Sequence, residues 1–473
     1  MDDMDDFLAH QLQIYQAAAL AYTEFFDSSS SSDDEEDIQK LIDLGYIRTK
    51  KRRAKIKFER LKWEEYADSL SELDFAKRYR MSRPSFEKLH ALIAPHYVTD
   101  KQQAKNSTGG GEPIDSIHAL HCTIRYLAGG IPFENSDVVN ISESSFYRIF
   151  WKVLEIIVNL PELDFDLPSD PSSNPARIRE INQSFQNIQT CDAFKGCIGA
   201  LDGWLCKIQA PALRDEKNVI SFFSGHYQCY GINVQAMCDG NCKFTYVNIA
   251  SPGGCNDITA FRKSGLSKFV DKLADFENEF NEKYYIVADN AYPLSGNMLI
   301  PFRQSQLDDN PVLKQNQLTY NFFLSQNRIR IEMAFGMLVN KFGIFKRDSR
   351  HRTKRTSLII QACMKLHNYC IDCRLAGSNA TDIMMVSDPD ESYVINNENP
   401  ERDFTPSCNT LLPPNRNVGV HMTYMRDGIL AYIKDQGIKR PGSTPLVIEE
   451  GKDEEEEANQ QVNTNPLNEQ NFY

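Results

Sequence analysis

The sequence predicts a mixed α/β domain preceded by a largely α-helical region and flanked by acidic tails. Four β-rich stretches, separated and followed by helical segments, lie at 197–208, 230–238, 242–250 and 284–288. Residues 38–160 instead carry apolar side chains at helical spacing. Strands and helices in this order are typical of a mixed α/β domain, which we place at residues 195–370.

Composition excludes several classes of protein. The 473 residues are 41% hydrophobic and 25% charged, unlike a wholly disordered or collagen-like chain. No apolar run approaches the roughly 18 residues that a membrane-spanning helix needs, so we expect no membrane partner. The acidic N-terminus is unlike a secretory signal. The 12 cysteines follow no repeating spacing, which favours reduced thiols over a disulfide scaffold.

Charge is distributed unevenly along the chain, whose formal net charge is −13. Residues 1–37 are an acidic N-terminal segment and linker without lysine or arginine. Residues 376–473 are predicted to be a largely disordered acidic C-terminal region. The body between the acidic ends is mildly basic. Because local charge sets the field that a ligand meets, the acidic total does not exclude DNA as a partner.

Residues 115–160 carry the pattern of a helix-turn-helix within the helical region. A short helix is predicted over Pro132–Val139, and Ser142 is predicted to cap a longer helix. On the longer helix, Arg148 and Lys152 lie away from the apolar stripe. A basic helix after a tight turn is typical of DNA-binding helix-turn-helix motifs. Plain helical bundles contain similar pairs, so that alternative stays open.

Three acidic residues occupy informative positions in the α/β domain. Asp202 falls inside the first apolar strand, Asp289 follows the strand YYIVA, and Glu332 lies on a helix with an apolar stripe. Carboxylates placed in this way can meet at one rim of a sheet. Each also has a simpler interpretation: Asp202-Gly203 as a turn, Asp289 as a helix cap, and Glu332 as an ion-pair partner of Arg328.

Convergence of the three carboxylates would predict a divalent-metal site. Mg²⁺ and Mn²⁺ prefer oxygen ligands and are commonly bound by a few carboxylates together with substrate phosphate oxygens. Two such ions can activate a water and stabilise the departing oxygen of a phosphodiester. The spacing of the residues alone does not establish that they converge.

Basic clusters indicate where DNA and an import receptor would bind. Four basic residues shortly after the Glu332 helix are candidates for contacts with the DNA backbone: Lys346, Arg347, Arg350 and Arg352. A second cluster at Lys50–Arg53 is typical of a nuclear localisation signal. A solvated surface is the alternative interpretation of both clusters.

Six segments between residues 75 and 371 carry a resemblance to a known family. They are FAKRYRMSRPSFEKL, IRYLAGGIPFENSDVVNISESSFYRI, GALDGW, INVQAMCDGNCKFTYVNIASPGGCNDITAFRKS, IVADNAYPLSGNMLIPF and NRIRIEMAFGMLVNKFGIF. In this order and spacing they resemble PIF/Harbinger-type DDE transposases and their domesticated nuclease relatives. The resemblance implies an RNase H-like DDE domain that cuts and joins DNA with divalent metal. It also implies that Asp202, Asp289 and Glu332 are catalytic metal ligands, and that Asp257 is an auxiliary one.

We therefore predict a nuclear, Mg²⁺- or Mn²⁺-dependent DNA endonuclease or transposase. It would cut phosphodiester bonds through a two-metal DDE mechanism. The resemblance to transposases implies that it also joins 3′-OH ends by the same mechanism. The alternative is a domesticated, non-cleaving DNA-binding regulatory protein. The resemblance also implies a Myb-like accessory protein as a partner. The sequence leaves the oligomeric state open, a homo-oligomer included.

Overall fold

The computed structural model describes residues 60–106, 112–377 and 424–442. Two predicted features lie outside these residues: the acidic segment 1–37 and the basic cluster Lys50–Arg53. Most of the C-terminal region lies outside them as well. No helix among the described residues is long and apolar enough to cross a membrane.

The first half of the described chain is built mainly of helices. They are α1 (Trp63–Asp68), α2 (Glu72–Tyr79), α3 (Arg83–Ile93), α4 (Lys101–Asn106), α5 (Ser116–Leu127), α6 (Pro132–Val139), α7 (Glu143–Asn159) and α8 (Pro175–Gln186). Helix α4 falls in a separate compact unit, and the other seven belong to the main one. The bounds of α6 match the prediction. Ser142 caps α7 as expected, because its Oγ accepts the backbone N–H of Ser145 at 3.2 Å.

A mixed sheet forms the centre of the main unit. Its strands are β1 (Cys197–Lys207), β2 (Phe223–Ser224), β3 (Cys229–Cys238), β4 (Phe244–Pro252), β5 (Tyr285–Val287) and β6 (Met298–Leu299). Strands β4, β3 and β1 are antiparallel neighbours, and β5 and β6 continue the sheet from β1 in parallel. Strand β2 pairs with the start of β3. This mixed α/β architecture is consistent with an RNase H-like DDE domain.

Helices pack against the sheet and complete the unit. They are α9 (Asp257–Lys263), α10 (Gly265–Phe280), α11 (Pro311–Lys341), α12 (Thr353–Leu375) and α13 (Tyr424–Asp435). The Phe335 ring of α11 lies 5.8 Å from Trp204 on β1 and 5.7 Å from Phe244 on β4, centroid to centroid. Helix α11 therefore covers one face of the sheet, and it carries Glu332 across the strand that holds Asp202.

The helical region shares its core with the sheet domain. The Tyr126 hydroxyl of α5 is hydrogen-bonded to His351 Nε2 at 2.9 Å, and the Tyr369 hydroxyl of α12 donates to the Ser85 carbonyl at 2.6 Å. Helix α7 packs against both α5 and α12. The sequence predicts separate regions at 38–160 and 195–370, but their described parts, α4 aside, form one unit. The apolar stripe of α7 predicts a buried face without identifying its partner.

The C-terminal region contains a helix that the sequence analysis did not predict. The sequence predicts that residues 376–473 are largely disordered, yet α13 packs against α11 with Ile429 and Ile433 buried. The Arg426 guanidinium lies 4.2 Å from the centroid of the Phe302 ring. The acidic composition of the region concealed this short amphipathic segment. Residues 378–423 and 443–473 lie outside the described part of the chain.

Candidate functional site

Two of the predicted acidic residues lie at one edge of the sheet, one within β1 and the other just after the neighbouring strand β5. Asp202 sits inside β1, where it pairs with Ala236 of β3, so the interpretation of Asp202-Gly203 as a turn is wrong. Strands β1 and β5 run in parallel with Ala200 opposite Val287. Asp202 and Asp289 each lie two residues beyond that pair. The pairing therefore brings both carboxylates to the same edge of the sheet.

Burial and mutual repulsion act on these two carboxyl groups. Burial, followed by the charge of Asp289, raises the pKa of Asp202 to about 7, although the Gly203 N–H donates to Asp202 Oδ1 at 2.8 Å. Burial also raises the pKa of Asp289, and the charge of Asp257 contributes to this rise. Arg328 acts in the opposite direction on both groups. Positive charge from the protein therefore does not fully balance the negative charges of these two carboxylates.

Asp289 occupies a turn that follows β5. Its Oδ1 accepts the backbone N–H of Ala291 at 2.8 Å. The residues after it form a turn that leads towards β6, so the interpretation of Asp289 as a helix cap is wrong. A carboxylate at the end of a strand, fixed by its own turn, is well suited to hold a ligand outside the sheet edge.

Glu332 is engaged with Arg328, one turn earlier on α11. The two side chains form an ion pair, in agreement with the simpler interpretation of Glu332, and the Glu332 side chain is 46% exposed. The Arg328 charge nevertheless lowers the pKa values of both Asp202 and Asp289, and the Glu332 charge raises that of Asp289. The Arg328–Glu332 pair therefore lies within electrostatic reach of the two aspartates.

Asp257 lies at the start of α9, behind the capping residue Asn256. Its Oδ1 accepts a hydrogen bond from Gln235 Nε2 at 2.8 Å and another from Asn233 Nδ2 at 3.1 Å. A Cβ at Gly203 would come within 2.4 Å of Asp257 Oδ1, which explains the glycine directly after Asp202. The auxiliary aspartate therefore packs against β1 next to Asp202.

The polar residues that hold Asp257 are not among those predicted from the sequence. Asn233 and Gln235 are both buried on β3, and Tyr292 donates its hydroxyl hydrogen to Gln235 Oε1 at 2.6 Å. The available signal was the alternation of polar and apolar residues in INVQA, a strand that is buried on both faces. Buried amides need hydrogen-bond partners, so this pattern indicates a polar network.

The two aspartates offer the oxygen ligands that a divalent cation prefers, but in the described part of the chain a third acidic side chain does not lie close enough to them to complete the site. Asp202 and Asp289 provide carboxylate oxygens, the donors that Mg²⁺ and Mn²⁺ prefer, and a cation between them would relieve their repulsion. Among the described residues, no three His, Cys, Asp or Glu side chains are grouped closely enough to hold a metal ion. The ion pair of Glu332 with Arg328 keeps the third predicted carboxylate engaged elsewhere.

The two basic residues of α7 differ in their surroundings. Arg148 is exposed and lies 3.4 Å from Ser145 Oγ through Nη2. Lys152 is half-buried, donates to the Val98 carbonyl, and places Nζ 4.7 Å from the centroid of the Tyr97 ring. Lys152 therefore has partners within the protein, whereas Arg148 extends towards solvent. Their role in DNA binding remains a prediction.

The four basic residues after α11 form an exposed group that we call the basic loop: Lys346, Arg347, Arg350 and Arg352. Ser349, in their midst, exchanges backbone hydrogen bonds with the end of β1, donating to the Lys207 carbonyl at 3.0 Å and accepting from Gln209 N at 2.9 Å. Arg352 Nε also contacts Asp215 at 3.2 Å. Strands rise about 3.3 Å per residue, which places this loop roughly 20 Å along β1 from Asp202.

Comparison with known proteins gives one family match and one curated relative. Residues 201–368 match the model of the DDE superfamily endonucleases. The chain is 24% identical over 322 residues to Protein ALP1-like of Arabidopsis thaliana, an alignment that covers 65% of this chain and 73% of that protein. No solved structure matches the chain. The matched segment contains Asp202, Asp257, Asp289 and Glu332.

Proposed function

Because residues 201–368 match the DDE superfamily endonuclease model, we propose that this chain is a divalent-metal-dependent DNA endonuclease or transposase. The observation that supports the proposal is the location of Asp202 and Asp289 together at one edge of the sheet. Parallel strands bring the two carboxylates together, and their charges lack full compensation. A structural role would be expected to pair each carboxylate with a cationic side chain or replace it by an apolar residue.

Asp202 and Asp289 would hold the divalent cation, Mg²⁺ or Mn²⁺, with Glu332 as the third ligand once it leaves Arg328. When bound, two such ions would activate a water, or a 3′-hydroxyl of the DNA, as the nucleophile and would stabilise the leaving oxygen at phosphorus. The strand and turn backbones orient the two aspartates. Arg328 offsets the negative charge of the two aspartates while it is paired with Glu332. After Glu332 is released, the guanidinium of Arg328 is available to a phosphate oxygen.

Cleavage of end-labelled duplex DNA by the purified protein tests the proposal. We expect products with Mg²⁺ or Mn²⁺ and none with EDTA. A substrate with a labelled 3′-hydroxyl end, incubated with unlabelled plasmid, tests whether ends are also joined. No cleavage with either ion, under conditions in which the DNA is bound, would contradict the nuclease proposal.

The second candidate is a non-cleaving DNA-binding regulatory protein. The Arg328–Glu332 ion pair favours it, because the third carboxylate is already neutralised within the protein. This function needs only the basic surfaces. The cleavage assay separates the two candidates, since a regulator would bind DNA without cutting it at any metal concentration.

Substitution of the basic loop should weaken DNA binding. At about 3.4 Å per base pair, the roughly 20 Å between Asp202 and the loop corresponds to about six base pairs, so one duplex could contact both. Replacing Lys346, Arg347 and Arg350 with Ala should flatten the slope of log affinity against log salt by about three. Titrations by fluorescence anisotropy at several salt concentrations measure this slope.

A single variant, Arg148→Ala, provides the comparison on α7. It should flatten the salt slope by about one if the α7 surface contacts DNA. An unchanged slope and affinity would assign α7 to the structural core alone. An unchanged slope for the basic-loop variant would remove that loop from the DNA-binding surface.

We place this activity in the nucleus, where DNA is available, and propose Lys50–Arg53 as the import signal. Replacing all four residues with Ala should shift a fluorescent fusion protein into the cytosol. Nuclear accumulation equal to that of the wild type would eliminate this cluster as the signal. The resemblance to Harbinger-type enzymes further suggests a Myb-like DNA-delivery partner, which co-purification from nuclear extract would test.

A further inference from the structure

A buried hydrogen-bonded network connects the turn after Asp289 to Asp257. The Tyr292 hydroxyl donates to Gln235 Oε1 at 2.6 Å, and Gln235 Nε2 donates to Asp257 Oδ1 at 2.8 Å. Asn233 Nδ2 adds a second hydrogen bond to the same Oδ1 at 3.1 Å. The exposed fractions of Tyr292, Gln235 and Asn233 are 2%, 1% and 8%. The network is therefore shielded from water and its geometry is fixed.

The Gln235 amide is held from both ends, by the carboxylate of Asp257 at Nε2 and by the hydroxyl of Tyr292 at Oε1. A phenolic hydroxyl that donates to Oε1 leaves Nε2 directed at the carboxylate. Burial, together with the charges of Asp257, Asp202 and Asp289, raises the pKa of Tyr292 well above its usual value, so the hydroxyl keeps its proton. Without this donor the buried Oε1 is left without a hydrogen-bond partner, and the amide loses the contact that holds it in place against Asp257.

Both amides donate to the same oxygen of Asp257. Within the described residues, no hydrogen bond is made to the other oxygen, Oδ2. The contact of Asp257 with Gly203 places the carboxylate beside the strand residue that follows Asp202. Its charge acts on both Asp202 and Asp289. Asp257 is thus held through one oxygen, and its charge lies within electrostatic reach of the carboxylate pair.

We propose that Tyr292, Gln235 and Asn233 are positioning residues that hold Asp257 beside β1, where its negative charge adds to the attraction of Asp202 and Asp289 for a cation. The proposal rests on the metal-dependent function proposed above. It assigns a role to three buried polar residues that lie outside the DDE triad. Partners of this kind around a metal site typically change metal affinity or activity 10- to 100-fold when removed.

The test measures the binding of Mn²⁺ alone, through its effect on thermal unfolding. The key variant is Tyr292→Phe, which removes one hydroxyl and keeps the ring that packs against Phe261. We expect the Mn²⁺ concentration for half-maximal stabilisation to rise about 10-fold. The matched control is Tyr369→Phe, which removes another buried hydroxyl with a 2.6 Å hydrogen bond, to the Ser85 carbonyl. It should lower the melting temperature without moving the Mn²⁺ midpoint.

A double-mutant cycle with Asp257→Asn tests whether Tyr292 acts through Asp257. Asp257→Asn should raise the Mn²⁺ midpoint by itself, and adding Tyr292→Phe should raise it little further. Additive increases, or an unchanged midpoint in Tyr292→Phe, would overturn the positioning role while leaving the proposed function intact. If Mn²⁺ does not stabilise the wild-type protein, or stabilises Asp202→Asn equally well, the proposed function fails and this assignment fails with it.

Discussion

Asp202→Asn and Asp289→Asn should each abolish Mg²⁺-dependent DNA cleavage, with a loss of rate on the order of 10³-fold or more. Each change preserves the size and shape of the side chain but deletes a negative charge that a cation needs. The two carboxylates lie at the same edge of the sheet, Asp202 within β1 and Asp289 two residues after β5, and would share the same ions. Combining the two changes should therefore cost little more than either alone. Binding of DNA should persist or become tighter, because a negative charge facing phosphate is removed.

The matched control is Asp271→Asn, the same substitution at an exposed position on α10. It should cleave DNA at the wild-type rate. Cleavage at more than a tenth of the wild-type rate by either site variant would contradict the assignment of these carboxylates. Glu332→Gln then decides the third position. Loss of cleavage would make Glu332 a ligand, whereas normal cleavage with a lower melting temperature would make it only the structural partner of Arg328.

The positions of Asp202 and Asp289 could be predicted from sequence because each breaks a local rule. Burying a charged residue inside an apolar strand costs free energy, so its presence there indicates a function, and a carboxylate directly after a buried strand lies at a sheet edge. What the sequence does not contain is the pairing of β1 with β5, which brings the two together. The state of Glu332 was equally undecided, since helical spacing allows it to face either Arg328 or the sheet.

The environment of Asp257 could not be predicted in the same way. Its partners come from β3 and from the turn after β5, and only the tertiary fold makes them neighbours. Gly203 illustrates the difficulty, because its lack of a side chain matters only once Asp257 is seen to occupy that space. The shared core of the helical region and the sheet domain could not be predicted for the same reason. Amphipathic patterns identify buried faces, but not the surfaces that cover them.

The stability of the metal-free protein should depend on pH through Asp202. The folded-state pKa of about 7 lies above the usual aspartate value near 4. Between these two values the folded state keeps a proton that the unfolded state has released. Stability therefore falls as pH rises through this window, and the full penalty applies above pH 7. Asp202→Asn removes the penalty and preserves the acceptor for the Gly203 N–H.

Thermal unfolding in EDTA at several pH values measures this effect. At pH 8, Asp202→Asn should be more stable than the wild type by about 1–3 kcal/mol, which corresponds to a rise of a few °C in melting temperature. At pH 4 the two proteins should unfold at nearly the same temperature, because Asp202 is then protonated in the folded wild type. Asp271→Asn should match the wild type at both pH values. Adding Mn²⁺ at pH 8 should stabilise the wild type and not Asp202→Asn, since the cation needs the charge that the variant lacks. A variant less stable than the wild type at pH 8 would show that Asp202 is satisfied within the protein, contrary to a site that awaits a cation.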